Sequence, residues 1–416
     1  MRTRFLCLAV ASLMVCTIVS LAKSNADSES DSVPSSVVTG NSQFATDLYA
    51  EISEKENETP EHDGNLLVSP YSVSTALAMT FAGAKRQTEA EMAEVMHFNL
   101  PQQQLHPAFA QLIAKLDKPG IQRPYQLSVA NRLWGQQDYR FLAEFLQTTR
   151  QHYGAELAEV DFVGHNAEAR KTINRWVEEQ TQEKIKDLIQ PPDLTHLTRL
   201  VLTNAIYFKG DWKHPFDKNE TRPAPFSVAP GQQVESTMMH QERTLKYAQL
   251  KDFQILELPY AGNDLSMIVL LPQQVGGLTE IEKALTPKNL EQWMRRLRAT
   301  RVSVFLPKFK MTCRVYLEEV LASMGMKTAF DRTANFSGMT GGKDLYISKV
   351  IHKAFIDVNE EGTEAAAATA VVMARKGPPR PTPVFRADRP FLFVLRDNQT
   401  GSILFMGRLV NPRGDE

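Results

Sequence analysis

Few residues in this chain have types and spacing suited to chemistry. Arg375 and Lys376 stand side by side near the end of Glu360 to Pro379, a run too long for an ordinary connection between the strand-like segments Lys349 to Val358 and Phe391 to Leu395. A long loop inside a compact domain is commonly functional or disordered. Basic side chains there fit the acidic specificity pocket of trypsin-like proteases; ordinary surface charge is the other reading. Gly362 supplies a flexible point, and Thr363, Ala365, Ala367, Thr369 and Val371 after it are small or β-branched. The alanines also favour helix, so a short exposed helix is a second reading of this stretch.

Two further polar residues stand out by position. Asn204 interrupts the apolar run Leu200 to Phe208, and His352 lies on the otherwise apolar face formed by Val350, Ala354, Ile356 and Val358. Both are expected to be buried and satisfied, bonded to each other or to Ser69 and Ser72, fixing how strands meet. The common catalytic signatures are missing: no G-x-S-x-G, no H-E-x-x-H, no Walker phosphate loop and no C-x-x-C. No catalytic residue, metal ligand set or cofactor site is therefore expected, and a hydrolase with dispersed residues ranks third among the functional readings. Cys313 is expected to be a buried small residue, since Cys7 and Cys16 fall in the N-terminal segment.

Composition narrows the class. With 47 basic and 48 acidic residues, a formal charge of −1 and 43% hydrophobic residues, the chain reads as a soluble globular protein, not one that coats nucleic acid. The Arg295-Arg296-Leu297-Arg298 cluster reads as a solvated helix face. Arg2 and Arg4 precede an apolar run from Phe5 to Leu21, and Ser20-Leu21-Ala22 offers a small-x-small cleavage pattern. Residues 1–22 are thus expected to be a signal peptide, making the protein secreted or extracytoplasmic and free of the membrane after cleavage. Residues 23–40 are expected to form a disordered tether, followed by one mixed domain over 41–413.

The elements that must position these residues follow from periodicity. Phe44, Ala45, Leu48, Tyr49 and Ile52 share a helical face; Ser69 caps a helix that starts at Pro70; Thr88 and Glu91 read as a capping box. Gln126 to Trp134 and Ala155 to Phe162 are strand-like, with helices at Phe141 to Leu146 and Ile173 to Val177. Leu200 to Phe208 reads as a central strand covered on both faces. Gln254 to Leu258 and Leu265 to Leu271 form a hairpin across Ala261-Gly262-Asn263, and Phe391 to Leu395 another with Ile403 to Arg408.

From about Asn41 to Pro412 the chain resembles the serpins. The resemblance is carried by Asn65 to Gly83, Leu127 to Phe162, Leu202 to Trp212, and Phe391 to Pro412. It implies an α+β fold of three β-sheets and eight or nine helices, with an exposed reactive-centre loop at about 360–388. Glu360-Glu361-Gly362-Thr363 followed by Ala365 and Ala367 matches the hinge of inhibitory members. Counting from that hinge places the attacked bond at Lys376-Gly377, with Arg375 as the alternative. Ser69, Ser72, Asn204 and His352 match the cluster where the main sheet opens, and Trp212 matches a tryptophan at its top. The implied function is suicide-substrate inhibition, not enzymatic turnover. The partner is a trypsin-like serine protease held 1:1 and covalently by a monomer, without nucleic acid. A non-inhibitory carrier or chaperone is the alternative, and the small-residue hinge argues against it. The chain departs from the pattern at Pro378-Pro379-Arg380-Pro381-Thr382-Pro383, a proline-dense stretch beyond the bond.

Overall fold

The structure, a computed structural model, describes residues 34–58, 63–117, 125–362 and 381–413. These form ten α-helices and fourteen strands. The first helix, α1 (Ser35–Glu58), buries the expected stripe of Phe44, Ala45, Leu48, Tyr49 and Ile52. It also begins inside the stretch expected to be a tether. Val37 and Gly40 are buried, and a Cβ on Gly40 would come within 2.4 Å of the His97 carbonyl oxygen. Close packing on that carbonyl orders residues whose composition alone reads as disordered.

Strand β1 (Leu66–Val68) leads into α2 (Pro70–Phe81), where the Ser69 hydroxyl accepts from the Ser72 amide at 3.2 Å and Pro70 occupies the first turn. In α3 (Arg86–Val95) the anticipated capping box does not form. Lys85 precedes the helix, and Thr88 and Glu91 instead hold the Thr328 turn, hydroxyl to hydroxyl at 3.0 Å and carboxylate to amide at 2.7 Å. Next come α4 (Gln102–Asp117), β2 (Tyr125–Gln136) and α5 (Ala143–Tyr153), the last closed by Gly154 at φ +62°. Then follow a three-residue β3 (Ala158–Val160), α6 (Asn166–Gln180) and β4 (Leu200–Gly210).

The second half is strand-rich: β5 (Arg222–Ala229), β6 (Gln232–Gln249), β7 (Phe253–Pro259) and β8 (Leu265–Pro272). Helices α7 (Leu278–Ala284) and α8 (Pro287–Met294) separate them from β9 (Arg298–Pro307) and β10 (Phe309–Tyr316). After α9 (Leu317–Ser323) and α10 (Ser337–Thr340) the chain ends in β11 (Lys349–Val358), β12 (Val384–Arg386), β13 (Phe391–Asp397) and β14 (Ile403–Leu409).

Two hydrogen-bonded sheets result. A five-stranded sheet has the order β10-β11-β4-β2-β3, and a nine-stranded one runs β1-β14-β13-β8-β7-β6-β9-β12 with β5 on β6. The third sheet of the expectation is continuous with the second, because the 18-residue β6 pairs with β5 at one end and β7 at the other. One large apolar core lies between the sheets and under α1 to α4. A smaller core, with Ile173, Val177, Ile185 and Leu188, covers the outer face of the five-stranded sheet. Strand β4 is buried along nearly its whole length, as a strand packed on both faces must be.

Candidate functional site

The site is the seam between β4 and β11. These strands run parallel and pair directly, from Lys349 opposite Val201 to Ile356 opposite Phe208, with His352 opposite Asn204. Ser69, Ser72, Asn204 and His352 are all fully buried, and the structure brings the four together. The Ser69 amide donates to His352 Nε2 at 3.1 Å, so the ring proton sits on Nδ1, which donates to Asn204 Oδ1. Asn204 Nδ2 donates to Ser72 Oγ at 2.7 Å and to Asn131 Oδ1. Ser72 Oγ donates to Asn131 Oδ1 at 3.1 Å, and Asn131 Nδ2 returns to the Ser72 carbonyl at 3.0 Å. Burial pulls the His352 pKa down to about 3, so the ring is neutral at ordinary pH.

Sequence reasoning missed Asn131. It occupies the place of an apolar residue in the alternation Leu127, Val129, Leu133, and that interruption was the available signal. Neither serine hydroxyl is bonded to the imidazole, since Ser69 Oγ donates to the Leu404 carbonyl at 2.6 Å and Ser72 Oγ to Asn131, so the cluster holds no activated nucleophile and no charged acid. What the arrangement does is tie β2, β4, β11 and the start of α2 to one another. Cys313 is buried in β10, opposite Ala354.

Trp212 lies elsewhere, eight residues beyond Asn204 and so about 26 Å along an extended chain. It belongs to the head of the seam. There the chain leaving β11 reverses within Asn359–Gly362, whose end residues exchange amide-to-carbonyl bonds of 3.1 and 3.2 Å. Trp212 donates its ring N–H to the Asn359 carbonyl at 3.0 Å and its amide to that of Glu361 at 2.9 Å, and stacks on Tyr260 at 4.4 Å. The Phe216 amide reaches the Glu360 carbonyl at 2.8 Å. Gly362 forms an isolated antiparallel bridge to Asp211. Its φ is +114°, and a Cβ there would lie 2.4 Å from both the Gly210 oxygen and the Trp212 nitrogen, so only glycine fits. The Glu360 carboxylate is buried beside Lys308 Nζ at 2.9 Å; burial pushes its pKa up, but the Lys308 contact and further hydrogen bonds bring it below the usual range. Thr363, Ala365, Ala367, Arg375, Lys376 and Gly377 lie outside the described residues.

Among the described residues no group of three or more His, Cys, Asp or Glu could hold a metal ion, and no helix is long and apolar enough to cross a membrane.

A family model described as "Serpin (serine protease inhibitor)" matches residues 39–412. The chain belongs to the serpin family. This serpin is 44% identical over 380 residues to the leukocyte elastase inhibitor of Bos taurus, covering 89% of this chain and 98% of that protein. It is 40% identical over 392 residues to serpin B3 of Homo sapiens, with 89% and 98% covered. Among solved structures, uncleaved ovalbumin matches with a TM-score of 0.81 at 31% identity over 91% of this chain and all of that one. Human glycosylated kallistatin matches with 0.81 at 33% identity over 92% and 99%. The α+β serpin fold is thus established, and the family is one of protease inhibitors, not catalysts.

The relatives correct one expectation. Leukocyte elastase inhibitors and serpin B3 are intracellular serpins, which overturns the reading of this chain as secreted with a signal peptide. That reading rested on the composition of residues 1–22, which precede the family match and lie outside the described residues. The Bos taurus relative is named as an inhibitor of leukocyte elastase, a target other than the trypsin-like protease expected from Arg375-Lys376.

Proposed function

We propose that this serpin inhibits a serine protease as a suicide substrate, cleaved after Lys376 or Arg375 and trapped when the freed loop enters the five-stranded sheet. The observation that carries the reading is the seam itself: β4 and β11 pair directly, while the chain leaving β11 folds back at Gly362 onto the extension of β4. A segment continuing from Gly362 between those strands would run antiparallel to both. Insertion would then replace one parallel ladder with two antiparallel ones, which are slightly more stable per residue. A dozen added ladder bonds at about 1 kcal/mol each, with some apolar burial, drive the change by on the order of 10 kcal/mol. The uncleaved form is metastable, held by a barrier.

Thr363, Ala365, Ala367, Thr369 and Val371 would share one face of the new strand, and all are small enough to enter a packed sheet. The protease serine attacks the carbonyl of the cleaved residue and forms an acyl-enzyme. Insertion drags the protease away and distorts its active site before water can release it. The cluster of His352, Asn204, Ser69 and Ser72 holds the seam until then, since the His352–Asn204 bond crosses it.

Lysine or arginine at the attacked position selects a protease with an acidic pocket, whereas the relatives' name points to elastase. Incubation with trypsin and with leukocyte elastase separates these. Trypsin is expected to give a 1:1 complex that survives boiling in detergent, with mass spectrometry of the released peptide placing the cut after 376 or 375. Rapid loop cleavage without such a complex by either enzyme would refute the inhibitory reading. A stable complex with elastase alone would keep inhibition and refute the basic reactive residue.

A further inference from the structure

On the outward face of β6, β9 and β12 a hydroxyl, an imidazole and a carboxylate stand in line. Val302, Val304 and Leu306 of β9 are fully buried, so Ser303 and Phe305 lie on the opposite face. His240 of β6 is paired with Phe305 and lies over its ring, centroids 4.4 Å apart and planes at 21°. From there it reaches its diagonal neighbour, and His240 Nε2 is 3.0 Å from Ser303 Oγ. His240 Nδ1 is 3.4 Å from Glu220 Oε2, at the end of the short turn Lys218–Glu220. An ionised carboxylate only accepts, so the ring proton sits on Nδ1. Nε2 then carries the lone pair, and the Ser303 hydroxyl donates to it.

This is the order that activates a serine: a base on its hydroxyl, and a third group that orients the base. The imidazole is held in place by its stack on Phe305, whose ring also carries the Arg386 guanidinium at 3.6 Å. A small reagent can reach the hydroxyl. The His240 side chain is 26% exposed, and Val384, paired with Ser303 across β9 and β12, is 49% exposed. Val384 and Phe305 offer apolar surface beside the hydroxyl, and Arg386 a positive charge. What the site lacks is an oxyanion donor from the serine itself, because the Ser303 amide is bonded to the Pro383 carbonyl at 2.9 Å. Without that donor an acyl group would leave slowly, so the chemistry that fits is one acylation per chain, not turnover.

We propose that Ser303 is a covalent modification site, acylated by activated aryl esters of short carboxylic acids, with His240 as the base and Glu220 positioning it. Ser303 Oγ bonds to the ester carbonyl carbon while its proton passes to His240 Nε2. The bond from that carbon to the aryloxide oxygen then breaks, and the proton leaves His240 with the aryloxide or to water. The products are the Ser303 ester and a phenol, and nothing is oxidised or reduced. The proposal does not rest on the inhibitory reading.

Treating the full chain with p-nitrophenyl acetate, followed by peptide mapping in a mass spectrometer, tests it. A stoichiometric burst of p-nitrophenolate is expected, with the acetyl group on Ser303. Ser303→Ala should abolish the burst, and His240→Gln should slow it by about a hundredfold. Glu220→Gln should lower the limiting acylation rate severalfold and leave the half-saturating ester concentration unchanged, with Glu220→Asp closer to the native chain. An unchanged limiting rate in Glu220→Gln removes Glu220 from the assignment. An acetyl group on a lysine, a tyrosine or another serine overturns the proposal, as does a burst that survives Ser303→Ala or a rate indifferent to His240→Gln. Melting curves show which variants are folded; should one fail to fold, the position of the acetyl group in the native chain decides.

Discussion

The middle and the head of the β4–β11 seam are held by opposite means. At its middle, four fully buried neutral side chains satisfy one another and a backbone amide, with no charge involved. At its head, backbone-to-backbone bonds, a glycine that admits no side chain, and ion pairs of Glu360 with Lys308 and Glu361 with Lys218 do the holding. A buried neutral network gains strength from low dielectric and is costly to leave half made. The Lys218–Glu361 pair is exposed, so it is worth little and weakens with salt, whereas Glu360 is buried beside Lys308. The middle is therefore the lock, and the head is the place where strand exchange can start at low cost.

The largest effect is expected from His352→Ala, which leaves a cavity and strands the Ser69 amide and the Asn204 oxygen. It should destabilise the uncleaved form by about 3–5 kcal/mol and increase polymer or self-inserted material. Thermal melting and native gels read both; an unchanged melting point and a monomeric product would remove His352 from the lock.

Acid tests the same group. Its folded pKa of about 3 lies below the ordinary value near 6.5, so the unfolded chain takes up a proton first. The contribution of His352 is complete above about pH 6.5 and falls by about 1.4 kcal/mol per pH unit as pH drops toward 3. Glu360 is also held below its ordinary value, and its contribution fades only when pH drops under the usual carboxylate range. The loss of stability between pH 7 and pH 5 in denaturant melts should shrink by about 2 kcal/mol in His352→Ala, and the part that remains belongs to the other histidines held below their ordinary value, His106 first among them.

Gly362→Ala is expected to cost roughly 2 kcal/mol through strain and displacement of Trp212, and to speed loop insertion measured as the rise in heat stability after cleavage. An insertion rate equal to that of the native chain would show that the head does not gate the exchange. Combined with His352→Ala, its effect should add to within about 0.5 kcal/mol, because the two positions share no partner. Lys218→Met should change stability least, and less still in high salt, because its pair with Glu361 is exposed.

Much of this was legible in residue order. Ser69-Pro70 announced a helix start, the apolar run at Leu200 announced a doubly covered strand, and Gly262-Asn263, both at positive φ, announced a hairpin. These signals are local. Asn131 was not recognised because its partners, Ser72 and Asn204, are 59 and 73 residues away, and only folding shows that they converge. The early start of α1 and the role of Thr88 were hidden for the same reason: His97 and Thr328, the groups that decide them, are remote in sequence. The expectation of export failed differently, since it came from composition alone.

The hydrogen bonds of the lock all point one way. From the Ser69 amide to His352, to Asn204, to Ser72 and Asn131, and back to the Ser72 carbonyl, each donor faces the next acceptor, and the circuit begins and ends on the first turn of α2. Such a circuit has a handed order. A turned amide or a shifted imidazole proton sets two donors or two acceptors face to face, so the seam cannot creep open one bond at a time. It behaves as a latch, closed or released, and release should carry the steep temperature dependence of a concerted unfolding step.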